Sequence, residues 1–147
     1  MAGSPTAGYG EVAGGPLTPQ VARSISEGAL LETIVGLAEA YGWKAHHVLD
    51  QRHYAKRIGT GFPDLVMVNE GQRRLLVAEL KSQRGSVSDA QWEWLWSFYS
   101  LGFVEVYLWH PSDLDEAQRT LQEGWKDSSN CELALLAWRE SAKERHG

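Results

Sequence analysis

Three charged side chains stand among apolar neighbours. Asp64 opens the run "DLVMV" (residues 64–68), and Glu79 and Lys81 close the run "LLVAELK" (residues 75–81). Charges set in such runs need a partner. Alternation along a strand puts Glu79 and Lys81 on one face, roughly 6 to 7 Å apart, with Leu76, Ala78 and Leu80 on the other. Asp64 shares a face with Val66 and Val68. Paired strands lie about 4.8 Å apart, so Asp64 and Glu79 can converge on one ion. Two hard carboxylate oxygens suit Mg²⁺ or Mn²⁺ rather than zinc, and no Cys/His spacing spells a structural zinc site. Such an ion polarises a phosphoryl oxygen and lowers the pKa of bound water. Lys81 could orient that water or stabilise developing negative charge. The chemistry indicated is phosphodiester hydrolysis. The competing reading is a surface Glu79–Lys81 ion pair on an edge strand, which would contribute little. The apolar run "LLVAEL" argues against a solvated edge.

The elements that must position these groups follow from periodicity and punctuation. Residues 1–22, rich in Gly, Pro, Ala, Ser and Thr, read as a flexible arm ahead of one domain over residues 23–147. "SISEGALLETIVGLAEAYGW" carries Leu30, Ile34, Leu37 and Tyr41 at helical spacing, and Gly42 ends it. "WKAHHVL" is a plausible strand. The two charged runs are strands joined through the turn "NEGQ". Then come a helix in "GSVSDAQWEWLWSFYSLG", a strand in "FVEVYLW", a Pro- and Ser-initiated helix from "PSDLDEAQ", and a last helix over about residues 129–143. The expected fold is α/β, a central mixed sheet flanked by helices.

The formal net charge is −5, which is unfavourable for a nucleic-acid binder until its distribution is considered. Residues 43–84 hold eight positive and four negative side chains, a local +4, so the acidic balance lies elsewhere. The loop "DQRHYAKRIGTG" brings cations next to Asp64. Arg52, Lys56 and Arg57 are candidates for phosphate contact, and Arg84 for a flanking one. Gly59 and Gly61 would let backbone approach a phosphate. His46 and His47 are adjacent on a strand and point to opposite faces, so they cannot readily share an ion. These two and His53 read as packing or DNA-contacting residues.

No apolar run approaches the length needed to span a bilayer, and no secretory signal is expected at the N-terminus. The single cysteine, Cys131, cannot form an internal disulfide and fits a reducing cytoplasm. It reads as a small buried residue rather than a nucleophile.

"GFPDL" followed by "AELK" resembles the PD-(D/E)XK nuclease signature, and "GFPDLVMV…LLVAELKSQRGSVSDAQWEWL" is similar to its VRR-NUC branch. The resemblance runs from about Ser26 to Leu121. It implies a restriction-endonuclease-like core, a Mg²⁺ or Mn²⁺ cofactor and DNA as partner. Asp64 and Glu79 match the metal-binding acids, Lys81 the catalytic lysine, the carbonyl of Leu80 a further metal ligand, and Gln91 the helix glutamine beside the site. The family's first helix usually adds a glutamate. Helical geometry favours Glu27, near the inward stripe of Leu31 and Ile34, over the outward Glu32. Ser24-x-x-Glu27 and Ser88-x-x-Gln91 each also spell a capping box. Compact stand-alone members resemble bacterial and phage enzymes that cut branched DNA such as Holliday junctions. A cytoplasmic enzyme of that kind is expected here, with a nuclease for another DNA form or a non-cleaving DNA-binding module as alternatives.

Seven tryptophans are many for 147 residues. Trp92, Leu95 and Tyr99 form one helical stripe, and Trp94, Phe98 and Leu101 another. One helix cannot usually bury both against one sheet. The surplus packs the C-terminal helix or forms a homodimer interface. A two-fold dimer would present equivalent sites to the symmetric strands of a four-way junction.

Overall fold

A computed structural model describes residues 17–47, 60–122 and 129–146. The elements are α1 (Pro19–Ser24), α2 (Glu27–Ala40), β1 (Lys44–His47), β2 (Leu65–Asn69), β3 (Arg74–Leu80), α3 (Asp89–Tyr99), β4 (Glu105–Trp109), a 3-10 turn (Pro111–Asp113), α4 (Leu114–Gln122) and α5 (Glu132–His146). The four strands form one sheet in the order β1-β2-β3-β4. The first three are antiparallel, and β4 runs parallel to β3 after the crossover through α3. The sheet is mixed and flanked by helices, as the element pattern predicts.

Alternation sorts the strand residues into two cores. Leu65, Met67, Leu76, Ala78 and Leu80 pack under Leu30, Ile34 and Leu37 of α2 and Leu121 of α4. Val77 and Val106 face the other way, onto Leu95 of α3 and Leu135 of α5. Gly42, at φ +90°, turns the chain out of α2. In the β2–β3 turn, Asn69 Oδ1 accepts the Gln72 N–H at 2.9 Å and Arg73 takes φ 58°.

Several local expectations need correction. α1 begins at Pro19, behind a Thr18 cap, within the stretch read as an arm. The Ser24-x-x-Glu27 capping box does not form. Ser24 Oγ donates to Val21 O, and Ser26 is the cap that accepts from Ala29 N. Arg74, one of the eight positive side chains of residues 43–84, is neutralised locally: it is buried in a bidentate pair with Glu105, with both N–O distances 2.7 Å, and lies over the Trp43 ring. Lys44 pairs with Glu70.

Both aromatic stripes of α3 find partners within the chain. Trp94 and Phe98 form an edge-to-face cluster with Phe62. On the side toward α5, Arg139 lies over Trp96, Tyr99 hydrogen-bonds Glu132, and Trp138 Nε1 donates to Asp89 at 2.9 Å. Leu101 stays exposed.

Candidate active site

β3 is an interior strand, so its last acidic residue is shut away from water. Glu79 is 1% exposed and projects toward α3, on the same face as Val77. Its Oε2 accepts from Gln91 Nε2 at 2.8 Å and lies 3.7 Å from Lys81 Nζ. The Lys81 side chain is itself only 12% exposed. The pair is therefore buried at the sheet's end, which removes the surface ion-pair reading.

Asp64 enters from the neighbouring strand. Its Oδ2 accepts the backbone N–H of Leu80 at 2.8 Å, and its carboxyl is within hydrogen-bonding reach of Glu79. Burial is the main force pushing the Glu79 carboxyl up to about 9, and the charge and hydrogen bonding of Asp64 add to it. Lys81 opposes the shift, and the charge of Glu27 adds a smaller push. Glu79 Oε1 is buried and receives no hydrogen bond.

Gln91 is held by two neighbours at once. Ser88 Oγ accepts from Gln91 N, and Gln91 Oε1 accepts from Ser88 N at 2.9 Å, a capping box as expected. Its Nε2 then has only one direction left, onto Glu79. An N–H donor on one side and a carboxylate on the other fix the orientation of the amide.

The loop carrying Phe62 and Pro63 sets the position of this helix. Gly61 has φ +85°, and a Cβ there would fall 2.5 Å from Ala90 C and 2.7 Å from Gln91 N. The space that was expected to admit a phosphate is filled by the first turn of α3. Gly61 and Phe62 together dock the loop onto the helix that bears Gln91.

Glu27 occupies the first turn of α2 and is exposed. Its charge is felt at Glu79, but among the described residues no three His, Cys, Asp or Glu side chains gather closely enough to hold a metal. The expected meeting of three acids is thus a close pair with a more distant third. Arg84 is exposed on the loop after β3. Arg52, His53, Lys56, Arg57 and Gly59 lie outside the described residues. His46 is exposed and His47 half-buried, consistent with opposite faces. Cys131 is buried just before α5, where burial pushes its thiol up and away from thiolate.

The remaining pieces of the site are Ser88, which fixes Gln91, and Pro63. Extending the β2–β3 register, in which Leu65 faces Ala78, sets Pro63 opposite Leu80. A proline has no N–H to give to the Leu80 carbonyl, while the Leu80 N–H is taken by Asp64. The "P-D" dipeptide thus contributes both an acid and a missing donor.

Residues 21–108, more than half of the chain, match the VRR-NUC domain. The chain belongs to the VRR-NUC family. Glu27, Asp64, Glu79, Lys81 and Gln91 all fall inside the matched VRR-NUC segment. The chain carries a nuclease domain of the PD-(D/E)XK group, and DNA is the substrate class that goes with it. Comparison with curated proteins and with solved structures gave no match. Among the described residues no helix is long and apolar enough to cross a membrane.

Proposed function

We propose that this VRR-NUC chain is a Mg²⁺- or Mn²⁺-dependent endonuclease that hydrolyses DNA phosphodiester bonds, with branched DNA such as a Holliday junction as its substrate. The observation that carries the metal requirement is Glu79 Oε1, a buried carboxylate oxygen without a donor beside a second carboxylate. A divalent cation would satisfy both and offset the burial and the Asp64 charge that hold Glu79 near its protonated form.

The donors fit a hard cation. Asp64 and Glu79 would hold it, with the Leu80 carbonyl on the edge where Pro63 supplies no competing donor. Glu27, whose charge is felt at Glu79, would act through water. When bound, the ion supplies Lewis-acid polarisation of the phosphate and a water of lowered pKa. Lys81 Nζ, kept at the acidic corner by its low exposure, places a positive charge where the attacked phosphate gains negative charge. Gln91 holds Glu79 in place. Arg52, Lys56, Arg57 and Arg84 remain the proposed phosphate contacts that position the duplex.

The junction preference is supported by the resemblance of the motif set to branched-DNA enzymes. A homodimer would serve it. Exposed Leu101, Phe103 and Leu133 lie near the corner where Tyr99 meets Glu132, a surface suited to self-association.

The test is a cleavage panel with Mn²⁺ on four-way junction, flap, nicked and linear duplex, comparing wild type with Lys81→Ala. Wild type should cut the junction, and the variant should bind equally but cut about 100-fold more slowly or less. Cutting of another form alone would move the substrate. Binding without any cutting would favour the non-cleaving module, and equal cutting by both proteins would remove the role given to Lys81.

A further inference from the structure

α1 packs against the 3-10 turn that follows β4. A cleft of about 350 Å³ opens between them and the loop after β3. It includes none of Asp64, Glu79 or Lys81. Its lining is partly apolar, with exposed Pro19 and buried Ala22, and partly basic, with Arg23 and Arg84. Both arginines are exposed, and neither has an acidic partner among the described residues.

The wall is preformed. Gln83 Nε2 donates to Ser112 Oγ at 3.0 Å, and the Ser112 N–H donates to Gln83 Oε1 at 3.0 Å. The loop that lines the cleft is joined to the acidic corner. Gln83 and Arg84 follow Lys81 in the chain, and their loop folds back on it: Gly85 N–H donates to Ser82 O at 2.9 Å, and a Cβ on Gly85 would lie 3.3 Å from Lys81 Cβ. Arg23 lies in α1, separated from Glu27 at the start of α2 by the extended Ile25 and the Ser26 cap.

Two unpaired guanidinium groups beside apolar side chains match one chemical unit, a phosphate attached to a sugar. Guanidinium forks bind phosphate oxygens bidentately, and the apolar side chains suit the carbon face of a deoxyribose. We propose that this cleft is a subsite for a sugar-phosphate of the DNA strand flanking the cut, with Arg23 and Arg84 on the phosphate and Pro19 and Ala22 beside the sugar. The assignment rests on the nuclease reading and adds Arg23, together with the function of α1.

The test uses the full chain carrying Lys81→Ala, in Mn²⁺, so that the DNA stays intact, with affinity followed by fluorescence anisotropy across a salt series. Adding Arg23→Ala and Arg84→Ala should lower the slope of log K against log salt by about 0.9, one phosphate contact. A methylphosphonate scan of the DNA should find one neutralised phosphate that weakens the parent and leaves the double variant unchanged. Should alanine lower the Tm, Arg23→Gln and Arg84→Gln repeat the measurement with polarity kept. Intact DNA binding with an unchanged slope and an identical scan overturns the subsite while the nuclease reading stands. A parent with no affinity for DNA overturns both. A 5′-mononucleotide that raises the Tm of the parent but not of the double variant, with DNA affinity the same in both, assigns the cleft to a free nucleotide and overturns the proposal.

Discussion

Asp64 Oδ2 accepts the backbone N–H of Leu80 at 2.8 Å, so one acid of the site is fastened to the residue that separates the other acid from the lysine. The side chain does two jobs: it completes the ladder where Pro63 begins, and it places a negative charge beside Glu79. Asp64→Asn separates them, because the amide oxygen can still accept from Leu80. Without metal, the variant should melt higher than wild type above neutral pH, since Glu79 is relieved of a like charge. The Tm increase produced by added Mn²⁺ should disappear. Differential scanning fluorimetry with EDTA and with Mn²⁺ reads both effects, and an unchanged Mn²⁺ response would remove Asp64 from the ligand set.

Glu79 also makes a prediction in pH. Its folded pKa of about 9 lies above the ordinary 4.5, chiefly through burial and Asp64. Below pH 4.5 the folded and unfolded chains both hold the proton. As pH rises toward 9 the unfolded chain releases it first, and that part of the stability is lost. The groups bearing on it are Asp64, Glu27, Lys81 and the Gln91 amide. In EDTA, Glu79→Gln should therefore gain Tm over wild type progressively with pH, by several degrees at pH 9 on a scale of about 2 to 4 °C per kcal/mol. A constant difference between the two proteins would show that the carboxyl titrates normally.

Pro63 predicts a metal phenotype without a catalytic role. Pro63→Ala restores an N–H opposite the Leu80 carbonyl, where it competes for the lone pairs. Mn²⁺ affinity, followed by isothermal titration calorimetry, should fall about tenfold, the effect of a hydrogen bond worth about 1 to 1.5 kcal/mol. The circular dichroism spectrum should be unaltered. Equal affinity would mean that the carbonyl takes no part.

Gly61→Ala tests the docking of the loop on α3. The new methyl meets helix backbone at 2.5 Å in a conformation with φ +85°, which costs a non-glycine residue about 1 to 2 kcal/mol before any clash. The Tm should drop by more than 4 °C. Cleavage should suffer more than DNA binding, because the displaced turn carries Gln91. A variant as stable and active as wild type would show that the helix shifts freely.

The β2–β3 pairing, the facing of Glu79 and Lys81 and the Ser88–Gln91 box were legible because each is local: alternation, a short turn and a four-residue cap signal. Ser24 misled because Ser26 offers a second cap two residues on, and because Thr18-Pro19, itself a helix-start signature, sits in a Gly- and Pro-rich stretch. Arg74 adds to the local positive count in the sequence, where nothing nearby announces its partner, Glu105, 31 residues away across a parallel pair. Gly61 was correctly marked as a close-approach position but given the wrong neighbour, because nothing nearby in sequence announces a helix backbone from residue 90. The cleft of Arg23 and Arg84 draws on three distant segments and has no linear pattern. For Glu27, helical angles give a direction but not a reach.

The two central acids lie on opposite arms of one hairpin, whereas α3 and the parallel strand β4 are added from further along the chain. Short loop closure favours early formation of the hairpin over the parallel pairing that follows. The carboxylates then approach one another while still hydrated, and the dehydration that distorts Glu79 falls on the late docking step, when β4 and the Gln91 helix seal the corner. A divalent ion present during refolding should consequently speed that final step and leave the early one unchanged.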